Sequence, residues 1–101
     1  MYFITAIISE KHLKQVPFYH KLRSRCFGYF ATWEEAHATV TDNIGSLHES
    51  IYDFIVIEDI PDGIHYLITE EHWYYWCDAL NCWQPCVKPD EFKGVINWAI
   101  G

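Results

Sequence analysis

The residues best equipped for chemistry crowd into one stretch. It runs His72-Trp73-Tyr74-Tyr75-Trp76-Cys77, then Asp78-Ala79-Leu80-Asn81, then Cys82-Trp83-Gln84-Pro85-Cys86. His72, Cys77, Cys82 and Cys86 form the one candidate metal cluster. Structural zinc takes four converging ligands, commonly paired at short steps along the chain. Here the intervals are four, four and three residues and no second short pair exists. The better reading is small apolar thiols in a reduced aromatic hairpin, with no metal or other cofactor. A nucleophilic thiol requires a histidine within hydrogen-bond reach and a third group to orient it. Cys26 has six histidines to choose from, and no local motif names a pair.

The carboxylates give a similar answer. Glu58-Asp59 and Glu70-Glu71 are neighbours that point to opposite faces if extended, so neither couple works as a general acid and base. Their expected place is a solvated rim. There is no phosphate-cradling glycine loop, no serine elbow and no paired-histidine helix. The chain is therefore expected not to be an enzyme. An undetected enzyme or zinc protein using His72, Cys77, Cys82 and Cys86 stays as an alternative.

Two further groups of residues point to binding. Trp73, Tyr74, Tyr75, Trp76 and Trp83 make a dense aromatic patch. Strand alternation places Tyr74 and Trp76 on one face and Trp73 and Tyr75 on the other, so some rings face outward unless a loop or a second subunit covers them. Large rings with one polar atom dominate protein interfaces and also stack on bases.

The second group is basic. Lys11, Lys14, Lys21, Arg23 and Arg25 face only Glu10 across residues 10–25, a net +4, whereas residues 26–101 hold 13 acids against Lys88 and Lys93, a net −11. In the simpler reading this basic strap lies across the acidic body of its own domain. In the sharper one Arg23 and Arg25 hold a phosphate or other anion through paired donors, with Tyr29 or Trp76 stacking on a base. A helix start at Thr32 adds a partial positive charge of about +0.5 nearby. On the sharper reading Arg25→Glu abolishes ligand or partner binding and changes stability by about 1 kcal/mol or less. On the simpler one it unfolds the protein.

The elements that carry these residues are legible from period and punctuation. The chain has 101 residues, half of them apolar and 18% aromatic, which is the size and composition of one folded domain, residues 1–101. Residues 2–9 are β-branched and aromatic with two apolar faces, as in a central strand. Pro17 interrupts a long loop over 10–24 with room for one helical turn. Residues 25–31 return to strand composition, with Gly28 marking a bulge or a close approach. Thr32 and Glu35 have capping-box spacing, Trp33, Ala36, Val40 and Ile44 share one helical face, and Gly45 closes a helix over about residues 33–44. Residues 52–60 and 64–69 read as a hairpin about Pro61-Asp62-Gly63.

The aromatic stretch then reads as two strands about a short turn, with Pro85 confining the second to an edge. A helix over 70–80 is the alternative. One helical turn at 89–92 and a last strand at 95–100 complete the chain. The fold class is α+β, an antiparallel sheet of about five to seven strands with one main helix packed on one face.

Several local patterns resemble a family of short uncharacterised proteins from clostridial genomes and their phages. They are Arg25-x-Phe27-Gly28-Tyr29-Phe30 leading into Thr32-x-x-Glu35-Ala36, Asn43 and Glu49 ahead of Tyr52, and Val56-Ile57-Glu58 before Gly63. Trp73-Tyr74-x-Trp76, Lys88-Pro89 and Asn97-Trp98-Ala99-Ile100-Gly101 continue the likeness. The resemblance brings no activity with it. It implies by analogy of class the role of many small acidic phage proteins, inhibition of host immunity in the manner of anti-CRISPR proteins.

A net charge of −7 repels duplex nucleic acid and anionic membrane over a Debye length of roughly 8 to 10 Å. No apolar stretch approaches a membrane span, and no basic region precedes the first apolar run, so the expected location is cytoplasmic, in the host if the gene is a phage's. The function expected is a binding protein that blocks a basic surface on a prokaryotic immune effector. Sequestration of a nucleotide or other small phosphate ligand is the alternative, and self-association is left open.

Overall fold

The computed structural model describes residues 1–15, 23–45, 47–48, 51–61, 70–94 and 98. Five strands form one antiparallel sheet: β1 (Tyr2–Ile7), β2 (Ser24–Phe30), β3 (Phe54–Asp59), β4 (Glu70–Cys77) and β5 (Cys82–Cys86). Their order across the sheet is β2-β1-β3-β4-β5. β1 and β3 lie at the middle of the sheet, where α2 covers one face and Phe92 the other, which is why these two segments are apolar on both faces. A four-residue helix, α1 (Glu10–Leu13), follows β1, and the main helix, α2 (Trp33–Thr41), follows β2. This is the expected α+β architecture.

Helix α2 starts where the capping residues place it. Thr32 Oγ1 accepts the Glu35 N–H at 3.2 Å, and the Thr32 hydroxyl donates to Glu35 Oε1 at 2.9 Å, tying the first turn together. The helix ends at Thr41 rather than Ile44. Asn43 turns into the left-handed region with φ 48°, and its Oδ1 accepts both the Trp83 indole N–H and the His48 amide, each at 3.2 Å. That side chain is worth more to the core as a turn acceptor than as another helical residue. Ile44 is left exposed, and the buried apolar residue beyond the helix is Leu47.

Alternation divides the sheet into two faces. Ile4, Ala6, Ile55 and Ile57 point toward α2 and meet Ala36 and Val40, all at 1% exposure or less. Fully burying such an aliphatic side chain contributes about 1.5–3 kcal/mol. On the other face Ile7, Val56 and Trp73 pack beneath Phe92, which a 3₁₀ turn at Asp90–Phe92 delivers.

Gly28 proves to be a bulge. Ile4 pairs with Gly28 and Thr5 with Cys26, leaving Phe27 as the extra residue. Gly28 has φ +140°, and nothing lies within 4 Å of where a Cβ would sit. The backbone angle, not a close neighbour, calls for glycine.

The partner of β3 on the side away from β1 begins at Glu70: Phe54 pairs with Tyr75 and Asp59 with Glu70. The strands expected at 64–69 and 95–100 and most of the turn between β3 and β4 lie outside the described residues, Trp98 excepted. The aromatic stretch is the hairpin β4-β5, with Trp76 opposite Trp83 and Pro85 on the outer strand, not the alternative helix.

Candidate functional site

Strand pairing brings together carboxylates that sequence neighbours keep apart. Asp59 lies opposite Glu70, and Glu58 opposite Glu71. Like charges directly opposite on a sheet are destabilising, so this end of β3 and β4 is held acidic against its own repulsion. On the α2 side, Asp59, Glu70 and Glu34 surround the Tyr2 phenol. The Asp59 charge foremost, with burial and the charges of Glu70 and Glu34, raises its pKa above the ordinary tyrosine value. Glu34 comes from the first turn of α2, so three elements supply this rim.

On the opposite side Glu58 is fully buried, which corrects its expected place on a solvated rim. Glu58 projects to the face of the sheet that Phe92 and Trp98 cover, and its Oε2 accepts the Trp98 backbone N–H at 3.0 Å. Glu71 is half-buried and answers to Lys88 at 3.2 Å and to the Trp73 indole N–H at 3.0 Å. Sequence reasoning missed both cross-strand pairs because register is a long-range property. The signal available was the acidic doublet closing one apolar strand and opening the next.

Behind the acidic rim runs a seam of rings between α2 and β4. His72 Nε2 lies 2.9 Å from Glu70 Oε2, and its ring sits 4.2 Å from that of Trp33. Trp33 stacks on His37 at 5.1 Å, and His37 Nδ1 lies 2.7 Å from the Tyr74 hydroxyl. Burial pushes the Tyr74 phenol up to about 12. It therefore keeps its proton at neutral pH and shares a hydrogen bond with His37. Further along, His48 stacks face to face on Trp76 at 4.0 Å, and its Nδ1–H donates to the Tyr52 carbonyl at 2.8 Å. A phenol that burial keeps protonated is not set to give up a proton at neutral pH, so its bond to His37 reads as structural.

The residues singled out from the sequence do not share one place. Arg23 sits 5.0 Å from the Phe92 ring centroid and 3.9 Å from Glu91, beneath the sheet. Its contact is with the acidic body of its own domain. Arg25 covers the Phe27 ring at 4.9 Å and pairs with Ala6, whereas Tyr29 pairs with Phe3 on the opposite face. Tyr29 is 58% exposed and rests against Phe3 at 5.3 Å. Tyr74 is buried in the seam, and Trp76 lies half-buried between His48 and Trp83.

Of the weak metal candidates, His72 belongs to the α2 face, while Cys77, Cys82 and Cys86 lie along the other face of the hairpin, Cys77 opposite Cys82 and Cys86 opposite Trp73. Among the described residues no group of three His, Cys, Asp or Glu side chains is placed to hold a metal ion. No described helix is long and apolar enough to cross a membrane. No protein-family profile, curated protein or solved structure matches the chain.

Proposed function

We propose that the protein is a non-enzymatic binding protein that docks through its acidic end onto a basic surface of a protein partner. The observation carrying this reading is the register that sets Asp59 beside Tyr2 and opposite Glu70, with Glu34 of the first turn of α2 adding to the negative charge felt by the Tyr2 phenol. Together they form a rim contributed by two strands and a helix, backed by an ordered ring seam that holds Glu70 through His72. Carboxylates opposed across a ladder cost stability, and a partner's lysines and arginines would relieve that repulsion on docking.

The finer assignment is an inhibitor of a prokaryotic immune effector that covers the surface where the effector holds nucleic acid. It is supported by the net charge of −7 and by the resemblance to short phage proteins. A small phosphate ligand has less support, because Arg23 and Arg25 address different neighbours.

The test is complex formation with a panel of prokaryotic nucleic-acid-handling effectors at low and high salt, using the native protein and Glu34→Lys/Glu70→Lys. Binding at low salt that weakens as salt rises, and at least about tenfold weaker binding by the variant, supports the reading. Binding indifferent to the double reversal, or none at low salt, removes it.

A further inference from the structure

At the far end of β4-β5 from the acidic rim, Cys77 and Cys82 are direct cross-strand partners closing the turn at residues 78–81. Both are reduced and half-buried. Opposite residues of an antiparallel pair have Cα atoms about 4.5 or 5.5 Å apart, depending on the kind of pair. Either spacing falls within the roughly 4.4–6.8 Å over which a disulfide forms. Side chains at opposed positions also project to the same face. A sheet thus sets the two sulfurs side by side with no change of backbone register.

The surroundings favour this pair over the third thiol of the hairpin. Cys86 lies four pairs further along, opposite Trp73, and burial raises its pKa, which makes it a poorer nucleophile at neutral pH. The Gln84 side-chain amide donates to Cys82 Sγ at 3.1 Å. A donor aimed at a sulfur supports the negative charge it carries when it attacks or leaves. Tyr75 shares this face; its phenol is raised foremost by the charge of Cys77 and by burial, with Cys86 and Cys82 contributing. The hairpin therefore gathers its thiols around one ring.

We propose that Cys77 and Cys82 form a reversible disulfide modification site that exchanges with low-molecular-weight disulfides such as glutathione disulfide. One cysteine, as thiolate, attacks a sulfur of glutathione disulfide. That S–S bond breaks, a mixed disulfide forms, and one glutathione leaves and takes up a proton. The second cysteine gives up its proton and attacks the protein-side sulfur of the mixed disulfide, so the Cys77–Cys82 bond forms and the second glutathione leaves. The protein loses two protons and two electrons, and glutathione disulfide takes them up to become two thiols. The proposal does not depend on docking by the acidic end.

The experiment incubates the reduced full-length protein with glutathione disulfide and reads intact mass and a non-reducing digest. The expected product is a monomer in which Cys77 and Cys82 are linked to each other, lighter by two hydrogens and free of glutathione at that pair, with any retained glutathione confined to Cys26 or Cys86. Dithiothreitol should reverse it. Cys26→Ser and Cys86→Ser should form the same link, while Cys77→Ser and Cys82→Ser should instead retain a glutathione at the remaining partner. A link through Cys86 or Cys26, glutathione retained on the native pair, or no reaction while the thiols stay open to a small alkylating reagent overturns the proposal. Circular dichroism of each serine variant confirms that it is folded.

Discussion

On the side of the sheet that α2 covers, the polar groups drawn inward are met by partners. Tyr74 has His37, Trp83 has Asn43 and His48 has the Tyr52 carbonyl. On the side covered by the 3₁₀ turn and Trp98, Thr5 Oγ1, Trp98 Nε1 and Arg23 Nε are buried and find no hydrogen-bond partner among the described residues. The difference follows from what does the covering. A helix and the turn after it present polar side chains at several depths, so a hydroxyl or indole nitrogen finds an acceptor. A single turn brings rings: Phe92 stacks on Trp73 at 5.4 Å and meets Trp98 edge-on at 5.2 Å, and rings exclude water without replacing its hydrogen bonds.

The comparison is broken most directly at Trp83, 1% exposed in the α2-side core. Trp83→Ala should lower unfolding stability by about 3–5 kcal/mol, and Trp98→Ala, from the half-buried position on the other face, by clearly less. Urea unfolding followed by circular dichroism measures both. Equal losses would mean that the two faces share the load.

A sharper probe is the Tyr74 phenol, which burial pushes from 10.0 up to about 12. Because the folded pKa lies above the unfolded one, the contribution of this group is fully present below pH 10. In the window above that, the unfolded chain sheds its proton first, so stability falls as pH rises toward about 12. Tyr74→Phe should cost about 1 kcal/mol at neutral pH through the lost bond to His37 and should flatten this alkaline decline. A decline unchanged in the variant would assign it to other groups.

The smallest expected effect has the opposite sign. Thr5→Val keeps the side chain's shape and removes a buried hydroxyl that has no hydrogen-bond partner among the described residues, so stability should rise by about 1 kcal/mol or less. A loss of more than about 1 kcal/mol would show that the hydroxyl is engaged in solution.

Local signals carried much of the fold. Thr32 and Glu35 announced the helix, Gly28 the bulge and Pro85 an outer strand, because caps, bulges and missing donors act within a few residues. The stopping point of α2 was hidden because the acceptor that claims Asn43 from the helix is the turn's contact with Trp83, 40 residues away. The acidic end was hidden for the same reason. Whether Glu58 meets water depends on what covers its face of the sheet, and no spacing within residues 54–59 records that Glu71 and Trp98 will face it. The separation of Arg23 from Arg25 was equally invisible, since a bulge between Ile4 and Thr5 and a contact with Phe92 decide where each guanidinium goes.

The bulge in β2 and the proline in β5 sit on the two outermost strands described. An outer strand offers free amides and carbonyls to any extended chain, and adding one strand to another is how sheets grow into aggregates. Phe27 and Gly28 break the repeat of donors and acceptors along one border, and Pro85 removes a donor from the other. A domain in which half the residues are apolar thus has, among the described residues, each outermost strand interrupted where a second copy would otherwise find a regular ladder to extend. Replacing both interruptions together would turn a finite sheet into one open to growth.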